Sequence, residues 1–165
     1  MKNAILIFTL LAFTSLIPKS NLIEHRQIQI KAILKNRNEI LKNSVELYVE
    51  IKNSGKKPIR LPQYLYWGFM KTDKFSDLVV EVMKKKSDLT FEPVLIINKF
   101  SYMYVEPILE ILKPNKIKTS HFNIAAATED SFFPPSIYKC RVRFNGKRYG
   151  LSKAIYSNWV EFEIK

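Results

Sequence analysis

Val45, Leu47, Val49 and Ile51 alternate with Glu46, Tyr48, Glu50 and Lys52. A period of two with apolar residues on one side predicts a strand with one buried face. The same pattern recurs along the chain. Ile28, Ile30 and Ala32 alternate with Gln27, Gln29 and Lys31, and Leu78, Val80 and Val82 form a run that ends at Lys84-Lys85-Lys86-Ser87-Asp88. Tyr138, Cys140, Val142 and Phe144 alternate with Lys139, Arg141 and Arg143. Asn145-Gly146 then turns the chain, and Val160, Phe162 and Ile164 alternate with Trp159, Glu161 and Glu163. These last two runs carry bases on one outer face and acids on the other. The pattern predicts neighbouring antiparallel strands, with Arg141 or Arg143 paired to Glu161 or Glu163.

Turn chemistry separates the runs at Lys35-Asn36-Arg37-Asn38, Asn53-Ser54-Gly55 and Lys113-Pro114-Asn115. Ile59 and Leu61 begin a short strand that Pro58 and Pro62 confine to an edge or a bend. Residues 89–97 and 100–105 are β-prone with weaker alternation, and residues 108–112 lead into the Lys113-Pro114-Asn115 turn. Residues 116–124 place Ile117, Thr119 and His121 on one face and Lys116, Lys118, Ser120 and Phe122 on the other. Neither face declares itself the buried one. Residues 125–130 suit one helical turn or a loop. Beyond the first 20 residues no stretch of about 11 or longer has a helical period. The expected architecture is all-β, an antiparallel β-sandwich of about seven to nine short strands.

The chain has 165 residues, enough for one domain, and 47% are hydrophobic, enough for a sizeable core. Met1-Lys2-Asn3 precedes an apolar run of 14 residues, 4–17, that stops at Pro18. A basic start and a short apolar run are the architecture of a secretory signal. The run is shorter than the ~20 residues that span a bilayer. The expected organisation is a signal over residues 1–20 and one domain over 21–165. The product would be periplasmic or extracellular, with no membrane span once the signal is removed.

Cys140 is the only cysteine, so no intramolecular disulfide can form. Its inward strand position predicts a buried, unreactive thiol. The formal charge is +12, and losing Lys2 and Lys19 with the signal would leave +10. Such a charge speaks about partners. Outside the cytoplasm those are acidic proteins, lipid headgroups, lipopolysaccharide or acidic glycans; an exported chain has no call for nucleic acid.

Tyr138-Lys139-Cys140 places a tyrosine two residues before an inward position of the penultimate strand region. That is the tyrosine-corner arrangement of immunoglobulin-like domains. Residues 45–53, 111–115, 138–144 and 157–162 together resemble secreted bacterial immunoglobulin-like domains. They are similar in look to the domains of the bacterial intracellular proteinase inhibitor type. The shared features are a strand ending in Asn, a Leu-x-Pro turn, a tyrosine strand and a final Ser-Asn strand. Asn115 and Ser136 stand where those domains have glycine. The resemblance implies an immunoglobulin-like fold, which hosts unrelated functions.

Chemistry is sparse. His25 and His121 are the only histidines, too few with one buried cysteine to build a metal site. No serine sits in a Gly-x-Ser-x-Gly setting. Glu46, Glu50, Glu161 and Glu163 could supply paired carboxylates, yet all occupy outer strand positions. Gly146 to Gly150 reads as a hairpin loop. No catalytic residue, cofactor or metal is expected. Lys56-Lys57, Lys84-Lys85-Lys86, Lys113 with Lys116, and Lys147-Arg148 fall in turns, where they could gather into an anion-binding surface. Residues 64–70 concentrate aromatics, and a strand cannot bury both of its faces in one core. Tyr64, Tyr66, Trp67 and Phe69 are therefore the expected partner contact, with Trp67 as anchor.

The expected function is a non-catalytic exported module that binds an envelope protein or an anionic envelope component. A proteinase-inhibitor-like module is the alternative. An envelope glycan-acting enzyme is a third.

Overall fold

A computed structural model describes residues 27–35, 41–69, 76–94, 96, 106–151 and 153–165. Residues 1–20, His25, Met70 and 100–105 lie outside these, as does most of 95–105. Eleven strands follow in order. They are β1 (Ile28–Leu34), β2 (Glu46–Asn53), β3 (Ile59–Pro62), β4 (Trp67–Gly68), β5 (Leu78–Lys85) and β6 (Phe91–Pro93). Then come β7 (Leu109–Leu112), β8 (Ile117–Asn123), β9 (Ser136–Phe144), β10 (Ile155–Tyr156) and β11 (Val160–Ile164). The count exceeds seven to nine because β4 and β10 are two-residue pieces that pairing, not pattern, defines.

The fold is an all-β sandwich. One sheet has the order β1-β2-β8. In the other, β9 is central, with β5 along one edge and β10 and β11 sharing the opposite edge. β4 and β6 both pair with β5, β4 in parallel. A two-stranded ribbon, β3–β7, completes the structure. No helix among the described residues is long and apolar enough to cross a membrane.

The alternating residues build the core. Val45, Leu47, Val49 and Ile51 are fully buried, as are Cys140, Val142 and Phe144. Leu78, Val80, Val82, Val160, Phe162 and Ile164 join the same cluster. Each such aliphatic side chain contributes roughly 1.5–3 kcal/mol on burial. Phe133, Tyr138 and Phe162 form an aromatic trio, with Tyr138 and Phe162 stacked at 5.3 Å between centroids. The Tyr138 hydroxyl donates to the Pro134 carbonyl at 2.7 Å, tying β9 to the chain that feeds it.

The strands expected at the C-terminus are antiparallel neighbours, but their ion pairs differ from expectation. Arg143 lies opposite Tyr156 and Cys140 opposite Val160. Two β9 residues between these pairs therefore face three, Ser157, Asn158 and Trp159. This is a β-bulge. The Ser157 N–H donates to the Val142 carbonyl, and the Val142 N–H donates to the Ser157 hydroxyl at 2.9 Å. The extra residue sets the register, so Glu161 faces Lys139 and Glu163 faces Ile137. Arg141 pairs instead with Glu81 of β5, its register neighbour, at 2.7 Å.

β8 resolves the open question of its facing. Ile117, Thr119 and His121 point outward, and Lys118, Ser120 and Phe122 are half-buried. Its inner face is polar because β4 and the ribbon satisfy it. The Trp67 indole N–H donates to the Ser120 hydroxyl at 3.0 Å, and Lys118 Nζ donates to the Gln63 carbonyl at 2.8 Å.

Candidate functional site

The buried side chain of Asn53 organises one end of the sandwich. Its Nδ2 donates to the carbonyls of Lys57 and Leu112, both at 2.9 Å, and its Oδ1 accepts from the Gly55 N–H at 3.0 Å. The Asn115 N–H donates to the Asn53 carbonyl at 2.7 Å. Asn115 reaches that point in the left-handed region, φ 61°, which asparagine tolerates better than most residues. The β2–β3 and β7–β8 turns are thereby held side by side. Lys56, Lys57, Lys113 and Lys116, spread over two turns in sequence, become exposed neighbours.

The ribbon beside them has two unlike faces. Ile59, Leu61 and Leu112 turn into the core. Arg60 and its cross-strand partner Ile111 face solvent, with Ile111 63% exposed. Leu109, 45% exposed, shares that outer face with Ile111; Ile108, 70% exposed, precedes β7, and Ile117 is exposed just past the β7–β8 turn. The Gln63 N–H donates to the Ile108 carbonyl at 2.7 Å, and Tyr64, 72% exposed, follows directly on that end of the ribbon. Of the acids nearby, Glu110 is engaged by Lys118, and Glu106 is exposed. The result is a set of exposed aliphatic side chains on and beside the ribbon, next along the chain to the lysine-bearing turns.

The aromatic segment divides. Trp67 is only 6% exposed and packs with Phe69 around Phe122, with centroids 5.8 and 5.1 Å away. Both are core residues, so the expected anchor role of Trp67 does not hold. Tyr66 is half-buried and Tyr64 lies outside. A tight crossing explains this split. The buried Asp77 carboxylate accepts from the Tyr66 N–H at 3.0 Å, which turns β4 across the sheet and sends Trp67 inward.

Two other surfaces differ from this one. On the outer face of β9, Arg141 sits 4.4 Å from the Tyr156 ring and 4.5 Å from Trp159, and Lys139 sits 3.9 Å from Phe91. Those cations are already occupied by rings and by Glu81, so the ladder reads as a stabilised sheet face. A groove of about 250 Å³ lies by Lys84, Glu92, Glu129 and Asp130, with Phe133 and Tyr138 at its floor. Glu46 and Glu50 lie on β2, and Glu161 and Glu163 lie on β11 in the other sheet. His121 stacks on Tyr48 at 5.3 Å. Among the described residues no three of His, Cys, Asp and Glu gather into a metal-holding group.

The turn lysines were visible in the sequence, but their adjacency was not. Ile117 gives a faint signal, a weak alternation over residues 116–124 in which neither face is clearly the inner one, while nothing in the sequence marks Ile108 and Ile111 as exposed. No protein-family model and no curated protein matches the sequence. By structure the chain is similar to a provisionally named ApaA protein from Bordetella pertussis, known from a crystal structure. The identity is 10% and the TM-score 0.35, over 83% of this chain and 91% of that one. Likeness at that level carries no functional argument.

Proposed function

We propose that this protein is an exported, non-catalytic binding module of the bacterial cell envelope. Its contact surface is the lysine-edged end built by Asn53 and the β3–β7 ribbon. The observation that carries the reading is the coincidence there of exposed Ile108 and Ile111 with Lys56, Lys57, Lys113 and Lys116. Exposed aliphatic side chains cost solvation, and several of them at one end of a domain suit an interaction surface. Export rests on Lys2, the apolar run 4–17 and the break at Pro18.

Fractionation of cells that make the native protein tests the reading. The expected result is a chain shortened by about 20 residues, retained with the envelope and released when Ile111 is changed to Ser. A full-length cytoplasmic product, or retention indifferent to Ile111→Ser, overturns it.

The second reading is a proteinase-inhibitor-like, immunoglobulin-type module. It is supported by the Tyr138 tie to Pro134 and the left-handed Asn115, which fill the structural roles those motifs have in such domains. A panel of proteases separates the two: inhibition at stoichiometric protein favours the second.

A further inference from the structure

We infer that the partner of the β3–β7 end is the surface of an anionic lipid bilayer. The inference rests on the binding-module reading and adds the chemistry of what is bound. The composition of the surface decides between lipid, protein and a second copy of the chain.

Protein–protein interfaces are enriched in Tyr, Trp, Met and Arg and depleted in Lys. At this end the lysines outnumber the one exposed arginine, Arg60, and the exposed aliphatic side chains, Ile108 at 70%, Ile111 at 63% and Leu109 at 45%, outnumber the one exposed tyrosine, Tyr64. Isoleucine side chains entering the acyl boundary, with lysines held at headgroup level, is the pattern of interfacial binding. Lysine acts there as a point charge toward anionic lipid and needs no bidentate geometry.

A second copy is disfavoured by charge. A two-fold contact through this end would set Lys56, Lys57, Lys113 and Lys116 against themselves. The nearby Glu110 cannot relieve that, because Lys118 already holds it.

The Asn53 clamp fixes the two lysine turns side by side, and the ribbon leads directly out of them.

The test uses the full chain and vesicles of equal parts phosphatidylglycerol and phosphatidylcholine, with pure phosphatidylcholine as control. Residues 4–17 are common to every variant, so the readout is the difference between variants. Reversing Lys56, Lys57, Lys113 and Lys116 to Glu should weaken binding to the mixed vesicles by roughly a hundredfold or more, at about fivefold per lysine lost. Ile108→Ser with Ile111→Ser should weaken it on the order of tenfold for each side chain. Parent binding should fall as salt rises, and pure phosphatidylcholine should bind the parent and the lysine variant alike.

Three results overturn the inference. One is variants that bind mixed vesicles as the parent does. Another is a parent that sediments as a dimer which the isoleucine changes dissociate, which assigns the surface to a second copy. The third is envelope retention that stays sensitive to Ile111→Ser while vesicle binding is not, which leaves the binding-module reading standing and assigns the surface to a protein. Loss of that sensitivity in cells would instead remove the binding-module reading itself. Circular dichroism of each variant confirms that it remains folded.

Discussion

Ala32 presents both of its backbone groups to a single side chain, the amide of Asn158. The Ala32 N–H donates to Oδ1 at 3.0 Å, and Nδ2 donates back to the Ala32 carbonyl at 3.2 Å. Ala32 lies on β1, an edge strand of the three-stranded sheet, and Asn158 lies in the bulge beside β9. One side chain thus stands in for a strand, closing part of an open edge and linking the two sheets. Asn158→Ala should cost about 1–3 kcal/mol, the range for leaving polar partners unmet. Asn158→Asp keeps the acceptor, loses the donor and should fall between. Chemical denaturation measures both, and an Asn158→Ala protein as stable as the parent would remove the clamp from the account.

Glu81, not Glu161, should be coupled to Arg141. The pair is half-shielded, with side chains 31% and 14% exposed. Its coupling in a double-mutant cycle with Arg141→Met and Glu81→Gln should be about 1 kcal/mol. The same cycle with Glu161→Gln should give nothing measurable.

Tyr138 gives the fold a sensitivity to alkali. Burial raises its hydroxyl pKa above the ordinary 10.0. The neutral phenol is therefore the form the folded state prefers. In the unfolded chain it ionises first as pH climbs past 10, so the unfolded state binds fewer protons and stability falls. The contribution is whole below that pH and lost as pH rises toward the folded value. Tyr138→Phe should cost about 0.5–1.5 kcal/mol at neutral pH by losing the bond to Pro134. It should also lessen the alkaline decline, seen as a flatter plot of midpoint against pH.

Cys140 is buried in the core. A thiol reagent should label it only on unfolding, and Cys140→Ala should cost on the order of 1 kcal/mol through lost packing. Rapid labelling of the native protein would contradict this.

Trp67 and Tyr64 should part company under substitution. Trp67→Ala removes a packed indole and its bond to Ser120, and should cost about 3–5 kcal/mol, enough to threaten folding. Tyr64→Ala should leave the thermal midpoint within about a degree or two of the parent. A stable, folded Trp67→Ala protein would return that residue to the list of contacts.

The sequence disclosed strands wherever one face meets the core and the other meets water. β1, β2, β5, β9 and β11 were all legible on that ground, because burial writes itself as alternation. β8 resisted because Ser120 and Lys118 are satisfied by hydrogen bonds from elements far along the chain. The bulge was hidden for a related reason. A one-residue excess leaves the alternation on both sides intact and shifts only their relation, so the charges of β9 and β11 looked paired when they were not. The candidate surface was legible in its parts alone. Leu112 is 59 residues from Asn53, and nothing local announces that one amide joins their turns. Trp67 and Tyr64 look alike in sequence, and only the turn fixed by Asp77 separates them.

The β3–β7 ribbon pairs within itself and, among the described residues, with no other strand. β9, by contrast, is bonded along both edges. Opening the ribbon breaks its own short ladder, the Asn53–Leu112 bond and the burial of Ile59, Leu61 and Leu112, but no ladder of either sheet. Amides of Leu109, Glu110 and Ile111 should therefore exchange with solvent deuterium well ahead of those of Cys140 or Val142. The surface that would meet a partner rides on a unit able to yield while the sandwich behind it stays closed.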